Sequence, residues 1–489
     1  MTPEQGKLPI RRWAITMESE NRVITRPHIP GGPERIRPIV NRTLALSENE
    51  ACGILNRVLA DFTLRHRNFK QIIKRNYDRI KEHVPDGANI SDERRLLMGA
   101  YFTMEYSIES AALFNPSIVP HPIQDDSSEG ALKFVMSFRA TGEGHISSIV
   151  FRSGTIEKNN EIYFDPLSHF VGTGEVQRNP SYETHLFGLK LVEMGARNAV
   201  TNYLLSELGP EFTLGQLREK IAELETAKQF PEIDRLEAIE HASWLAESNY
   251  ALTFPAEHRI SERVIFPVTL NESMGLEDAR FVRFVDDNGA VTYYATLTAY
   301  NGFVLLPQLI ETKDFVTYKM ITLNGEAVRN KGMALFPRRI GGKFVMLSRL
   351  DGENNYVMFS ENLHFWQQAD ALMEPKRSWE FVQIGNCGSP IETNSGWLVL
   401  THGVGAMRKY SIGVVLLDLD DPRKVIGRIE EPLLATNEYE REGYVPNVVY
   451  TCGAMIHSGE LIIPYAMGDQ RCSIATVPVT DLLDRLEAK

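Results

Sequence analysis

Five segments of this chain share one plan, and that repeat limits the possible folds more than any other feature of the sequence. Each opens on a proline or acidic anchor and runs through a strand, a glycine-containing or polar turn, and an apolar strand ending in a polar residue. The segments begin Asn115-Pro116-Ser117-Ile118-Val119, Glu277-Asp278-Ala279-Arg280-Phe281, Leu335-Phe336-Pro337-Arg338, Gly388-Ser389-Pro390-Ile391 and Val445-Pro446-Asn447-Val448-Val449. Their apolar strands are expected at 133–139, 292–300, 343–349, 396–402 and 460–465. From Asp278 through Leu335 and Ser389 to Pro446 the steps are 57, 54 and 57 residues. From Asn115 to Asp278 the distance is 163, one such step plus a long excess.

That excess reads as helical. It runs from Ser181 to about Asn249 and carries a capping box, Thr213 with Gln216, ahead of Leu217, Ile221 and Leu224 at helical spacing. A second helical stretch opens at Ser47, capped by Glu50, with Ile54, Leu55, Val58, Leu59 and Phe62 on one face. It continues with breaks to about Leu113. Five repeats of short strands, at a period somewhat above that of a WD40 blade, suggest blades of four antiparallel strands and predict a mainly β chain, a five-bladed β-propeller with an N-terminal helical extension and a helical insertion. The predicted division is 1–112, extension; 113–488, propeller, with the insertion at about 175–250. A β-sandwich with a separate helical domain also accommodates turn signals at this spacing.

The formal charge of -12 argues against a nucleic-acid surface or an anionic membrane, both of which require clustered Lys and Arg. Cys52, Cys387, Cys452 and Cys472 form no CxxC pair, which signals neither a zinc site nor a disulfide framework. Met1 to Arg26 carries charges throughout, and no apolar run approaches the ~20 residues of a membrane span. The expectation is a cytoplasmic protein with reduced thiols.

In a propeller the early strands of each repeat converge on a central pocket. Converging there would be Asn115, Arg139 and Glu143 from the first repeat, Glu277, Asp278, Arg280, Tyr300 and Asn301 from the second, and Lys331, Arg349 and Asp351 from the third. The fourth and fifth add Asn386, His402 and Arg408, then Asn447 and Asp469. Charges at the ends of otherwise apolar strands are costly to bury without partners or ligand. Each one alone reads equally as a salt-bridged or snorkelling strand end. As a set they offer carboxylates suited to glycosidic acid catalysis, and a cationic group, Lys331, Arg349, His402 and Arg408, that could hold an oxyanion. An oxyanion placed there attacks an anomeric carbon without a protein base, which describes phosphorolysis.

The segment Met274-Gly275-Leu276-Glu277-Asp278-Ala279-Arg280 resembles glycoside hydrolase family 130, whose members carry a Gly-x-Glu-Asp-Pro-Arg motif. The likeness continues through Tyr293 to Gly302, Asn330-Lys331 with Ala334-Leu335-Phe336-Pro337, Thr401-His402-Gly403-Val404-Gly405, Leu416 to Pro422 and Arg441 to Val449, covering 113–155 and 255–488. It implies a five-bladed propeller and an inverting phosphorylase acting on a β-linked mannoside, β-1,2 or β-1,4, to give α-mannose 1-phosphate. The enzyme class implied is a hexosyltransferase without a cofactor, with inorganic phosphate as co-substrate. Asp278 would be the general acid, delivering its proton through a hydroxyl of the bound mannoside. Lys331, Arg349, His402 and Arg408 would bind phosphate, and Asn115, Arg139, Glu277, Tyr300 and Asp469 would hold sugar hydroxyls; no metal is implied.

Two departures stand out. Ala279 replaces the motif's proline, which changes backbone stiffness more than chemistry. Many members have an arginine shortly after the Tyr-x-Gly turn, whereas here Asn301-Gly302 runs into Phe303-Val304-Leu305-Leu306-Pro307. The rival readings are a hydrolase using Glu353 or Glu392 as base and a non-catalytic sugar-binding propeller. Glu277 paired with Arg280, and Tyr300 as a core wall, are the plain alternatives for those residues. The helical segments read as a cap over the pocket or a homo-oligomer contact.

Overall fold

The computed structural model describes residues 8–88, 90–125, 128–178, 181–227 and 229–487; the predicted end of the propeller at 488 lies outside them. The described chain is mostly β, and its strands fall into successive antiparallel sets. The first set is Ala112–Pro120, Leu132–Thr141, Ser147–Ile156 and Ile162–Phe164. The second is Gly275–Val285, Val291–Tyr300, Leu305–Thr312 and Thr317–Thr322. A parallel bridge between Gly275 and Ser147 joins the two into one sheet.

The third set comprises Ala334–Leu335, Phe344–Ser348, Asn355–Ser360 and Ala369–Met373. The fourth is built on Gln383–Asn386, Gly396–Val404, Tyr410–Leu417 and Val425–Arg428. Its expected anchor, Ser389-Pro390, lies between two short strands, Gln383–Asn386 and Ile391–Thr393, which pair with successive parts of Gly396–Val404. The fifth holds Val449–Tyr450, Glu460–Met467 and Arg471–Pro478. All five expected apolar strands are present within a few residues of their predicted ends.

The stretch read as largely helical before 112 also contains strands. Its helices are Pro33–Leu44, Glu48–Phe62, Phe69–Asp78 and Asp92–Tyr101. Val23–Pro27 pairs with Thr103–Ser107, and Arg11–Arg12 adds an outer strand to the fifth set against Arg471–Pro478. Two charged residues paired with a partner more than four hundred positions away leave no periodic signal, so local pattern misses them. The capping box at Ser47 forms as expected: Glu50 N donates to Ser47 Oγ at 3.3 Å and Ser47 N to Glu50 Oε2 at 2.8 Å.

The insertion leaves and re-enters through adjacent strands, Glu175–Gln177 and Tyr250–Thr253, which pair with each other, the second docking on the strand Thr317–Thr322. Between them lie Thr184–Glu193, Ala199–Ser206, Leu214–Thr226 and Glu232–Glu247. Thr213 and Gln216 form the second capping box, and Leu217, Ile221 and Leu224 face Ala242 and Leu245 or Ala238 in its own apolar core. Lys190 fixes this core to the sheet by donating to Leu323 O at 3.1 Å. Beneath the second set Phe151, Phe281, Phe315 and Tyr318 pack with ring centroids 5.6 to 6.2 Å apart. Edge, tilted and stacked contacts of this kind add about 0.5–1.5 kcal/mol each beyond area burial, and Phe281 brings them onto the strand that carries Asp278.

Candidate functional site

Two bulges aim the central side chains. Register shifts between Phe114 and Ser117 in the first set and between Glu277 and Arg280 in the second. The residue at each shift, Asn115 with φ 51 and Asp278 with φ 58, is left-handed. Asn and Asp tolerate that region best among side-chain-bearing residues, and a bulge there turns a side chain out of the pleat. Asn447, at the start of the fifth set, has φ 63.

The result is a shared cluster. Asn115 Nδ2 donates to Asp278 Oδ1 at 2.6 Å. Arg139 donates to Asp278 Oδ1 at 3.3 Å, to Glu277 Oε1 at 2.8 Å and to Ser147 Oγ at 2.9 Å. Lys331 Nζ reaches Glu277 Oε2 at 2.6 Å. Glu277 is therefore bound between Arg139 and Lys331, and its pairing with Arg280 is not the arrangement found. Arg280 is buried and donates instead to Asn386 O and Tyr450 Oη, each at 2.7 Å. The amide oxygen of Asn115 is buried and has no donor among the described residues. A buried acceptor without a partner costs about 1–3 kcal/mol, a deficit that a ligand hydroxyl would remove.

A second group adjoins it. Arg349 Nη1 donates to His402 Nε2 at 3.1 Å, and Gln383 Nε2 lies 3.4 Å from the same nitrogen. Gly385 leaves room for this pair: a Cβ there would stand 2.5 Å from His402 Cε1. Burial, reinforced by the charges of Arg349 and Arg280, holds His402 well below the usual imidazole range. Counted among the cations in the sequence reading, His402 is thus neutral near pH 7 in the free site.

The acidic groups are pushed apart. Burial raises the Asp278 carboxyl, but Arg139, Arg280, Lys331 and the Asn115 amide outweigh it and hold the group below the ordinary value. Asp469, left-handed at φ 48, is pushed up to about 6 by burial and by the charge of Asp278, against the opposing pull of Arg139 and Arg408. Opposed shifts in neighbouring carboxyls mark different protonation states at one pH.

Arg408 and Tyr300 stand outside these hydrogen bonds, and Asp469 is tied to the cluster through charge alone. Arg408 is exposed, with its guanidinium 5.7 Å from the Tyr410 ring centre, and reaches the cluster through its charge on Asp469. Tyr300 donates its hydroxyl to Gly302 O at 2.8 Å and pairs in register with Gly275. Ser147 and Gln383 were not anticipated. A finer signal was available: Arg139, Arg349 and His402 each stand three residues before a glycine, Gly142, Gly352 and Gly405. The first and last of these turns close on the same backbone hydrogen bond, Gly142 N donating to Ile146 O and Gly405 N to Lys409 O, both at 3.0 Å.

Residues 246–488 match the family model described as beta-1,4-mannooligosaccharide phosphorylase. A 1,2-beta-oligomannan phosphorylase from Thermoanaerobacter sp. (strain X514) is 32% identical over 231 residues, 46% of this chain and 75% of that protein. A beta-1,2-mannobiose phosphorylase from Listeria innocua is 29% identical over 46% of this chain and 64% of its own length. A beta-1,4-mannooligosaccharide phosphorylase from Ruminococcus albus is 33% identical over 42% of this chain and 64% of that protein. The solved structure of the Listeria innocua enzyme in complex with beta-1,2-mannobiose aligns with 78% of this chain and 94% of its own, at 21% identity and a TM-score of 0.47.

Proposed function

The chain belongs to glycoside hydrolase family 130, and on that footing we propose that it is an inverting phosphorylase cleaving a β-1,2- or β-1,4-linked manno-oligosaccharide with inorganic phosphate to give α-mannose 1-phosphate. The observation that carries this reading is the placement of a bulge-borne carboxylate, Asp278, among Asn115, Arg139 and Glu277–Lys331, beside the Arg349–His402 pair. Carboxyl, hydroxyl-binding groups and anion-binding groups are the parts that an inverting attack by phosphate requires.

Asn115, Arg139, Glu277 and Asp469 hold the hydroxyls of the mannose to be transferred, with Tyr300 at the edge of the same strand pair. Lys331, Arg349 and His402 bind phosphate, and Arg408 reaches it from the rim. Asp278 supplies the proton to the leaving oxygen by way of a mannoside hydroxyl, and phosphate attacks the anomeric carbon from the opposite face. In the free site Asp278 is held ionised by surrounding cations. A phosphate shared with Lys331 and Arg349 offsets those cations, so its binding raises the carboxyl toward the protonated state the reaction uses. The hydrolase alternative finds little support: Glu353 is exposed, and Glu392 is held below its usual value by an exposed pair with Arg338 at 2.6 Å.

The finer fold belongs to the same proposal: the strand sets are five blades around this site, formed by 113–488. Cys452 N donates to Pro116 O at 2.8 Å, linking the fifth set to the first, and Arg11–Arg12 completes the fifth from the N-terminal side. The helical segments fit a cap or homo-oligomer contact, and the enzyme acts in the cytoplasm as a hexosyltransferase without a cofactor. Its four thiols are unpaired, and among the described residues no helix is long and apolar enough to cross a membrane.

The test is release of mannose 1-phosphate and free mannose from a panel of β-linked mannobioses, with and without inorganic phosphate. Mannose 1-phosphate formed only with phosphate is the expected result and identifies the linkage. Free mannose at equal rates in both would assign a hydrolase, and no turnover would refute the substrate class.

A further inference from the structure

We infer that Phe303 is a stacking platform for the leaving-group side of the substrate, holding a sugar beyond the first leaving unit of a β-mannoside chain. The inference rests on the β-mannoside reading and adds to it the length of chain the site takes.

The Phe303 ring is 94% exposed, an extreme for a phenyl group, yet the loop that carries it is braced. Phe303 N and Val304 N both donate to Asn301 Oδ1, at 3.0 and 2.8 Å. Tyr300 Oη closes the turn on Gly302 O at 2.8 Å, and Gly302 has φ +95, a conformation that side-chain-bearing residues rarely adopt. A turn braced in this way has little backbone freedom left to lose when a ligand settles on the side chain it presents, which favours a stacking surface.

The loop also lies at the correct end of the sheet. Tyr300 pairs with Gly275 and Thr298 with Glu277, so the strand leaves the sheet where Glu277 and Asp278 enter it. Met274 N donates to Tyr300 O at 2.9 Å, tying this loop to the segment that leads into the catalytic strand. A Cβ on Gly302 would stand 3.6 Å from Met274 Cγ. Met274 and Val304, the apolar side chains next to this turn, are themselves exposed, as is Leu270 a few residues before the strand.

A pyranose presents hydroxyls at its edge and C–H groups on its faces. The cluster around Asp278 suits the hydroxyls of the ring being transferred, whereas an isolated aromatic ring suits the C–H face of a ring further out. A second copy of the chain is the poorer occupant, because four apolar side chains fall well short of the ~800 Å² per partner that a stable interface buries.

The experiment measures kcat/KM for phosphorolysis of β-mannobiose, -triose and -tetraose of the productive linkage by the full chain and by Phe303→Ala and Phe303→Tyr. The expected result is a loss of about tenfold for Phe303→Ala on the triose and tetraose, carried by KM, with the biose within twofold and Phe303→Tyr near wild type. The unchanged biose rate reports an intact fold. An equal loss on all lengths, or none on any, overturns the platform while leaving the phosphorylase reading intact. A fall in oligomeric mass by light scattering in Phe303→Ala, without length dependence, assigns the ring to a second copy. Absence of wild-type turnover on every β-mannoside defeats the functional reading and this inference with it.

Discussion

Asn115 Nδ2 donates to Asp278 Oδ1 at 2.6 Å, and each residue occupies the left-handed region at a bulge of its own strand pair, 163 positions apart in the chain. Equivalent kinks in two consecutive strand sets thus point an amide and a carboxyl at each other. The carboxyl is fixed at its oxygen and through its backbone.

Replacing Asp278 by Asn separates these roles. Asn tolerates φ 58 and keeps an oxygen for Asn115, but it has no acidic proton. Mannose 1-phosphate release is expected to fall by about 10³-fold, in the range removed with a general acid, while the protein stays folded at a urea midpoint lowered by the charge that Arg139, Arg280 and Lys331 lose. Asp278→Ala loses both and is destabilised by about a further 1 kcal/mol through its left-handed backbone. Activity of Asp278→Asn within tenfold of wild type would remove the acid role.

Glu277 bridges Arg139 at 2.8 Å and Lys331 at 2.6 Å. Its side chain is 9% exposed, so Glu277→Gln leaves one guanidinium and one ammonium group facing a neutral, mostly buried amide. The cost expected is about 2–4 kcal/mol by urea denaturation, more from Arg139 than from Lys331, which is 35% exposed and better solvated. A change below 0.5 kcal/mol would show that the three groups are independently hydrated.

Arg349 and His402, in contact at 3.1 Å, are the pair proposed to hold phosphate. Arg349→Ala is expected to raise the phosphate KM by about 10- to 100-fold and the mannoside KM by less than threefold, since a charge-assisted contact is worth about 1.5–3 kcal/mol. His402→Asn removes the acceptor that orients Arg349 and moves the same constant in the same direction. Steady-state kinetics with each substrate varied separately checks both. A mannoside KM that rises as much as the phosphate KM would place the pair against the sugar.

The strand repeat was legible because apolar alternation and anchors recur locally: 396–402 was expected as a strand, and Gly396–Val404 is one. The partner of Glu277 was not legible. Arg139, Arg280 and Lys331 are all within reach on sequence grounds, and only the bulge at Asp278 decides that Arg280 turns away toward Asn386 and Tyr450. The neutrality of His402 was equally hidden, since its cause is burial beside Arg349 and Arg280, neither adjacent in the chain. What local pattern carries is a strand and its end; what it lacks is the sum of charges brought to that end by other strands.

Asp469 offers a test of that sum. Its carboxyl sits at about 6 in the folded protein, raised by burial and by Asp278, against about 3.9 in an unfolded chain. Between those values the native state binds a proton that the unfolded state has lost. The stability this group contributes is therefore complete below about pH 4 and disappears as pH rises through 6. Two units correspond to about 3 kcal/mol, an upper figure for a residue not fully enclosed. Asp278, held below its ordinary value, contributes the opposite slope at more acid pH, below the window in which Asp469 titrates. Asp469→Asn is expected to gain on wild type by up to about 3 kcal/mol between pH 4 and 7 in urea titrations, with the step centred between pH 4 and 6. A difference that stays flat across that range would mean that Asp469 is ionised in the native site, and that Asp278 and Asp469 do not interact as the structure places them.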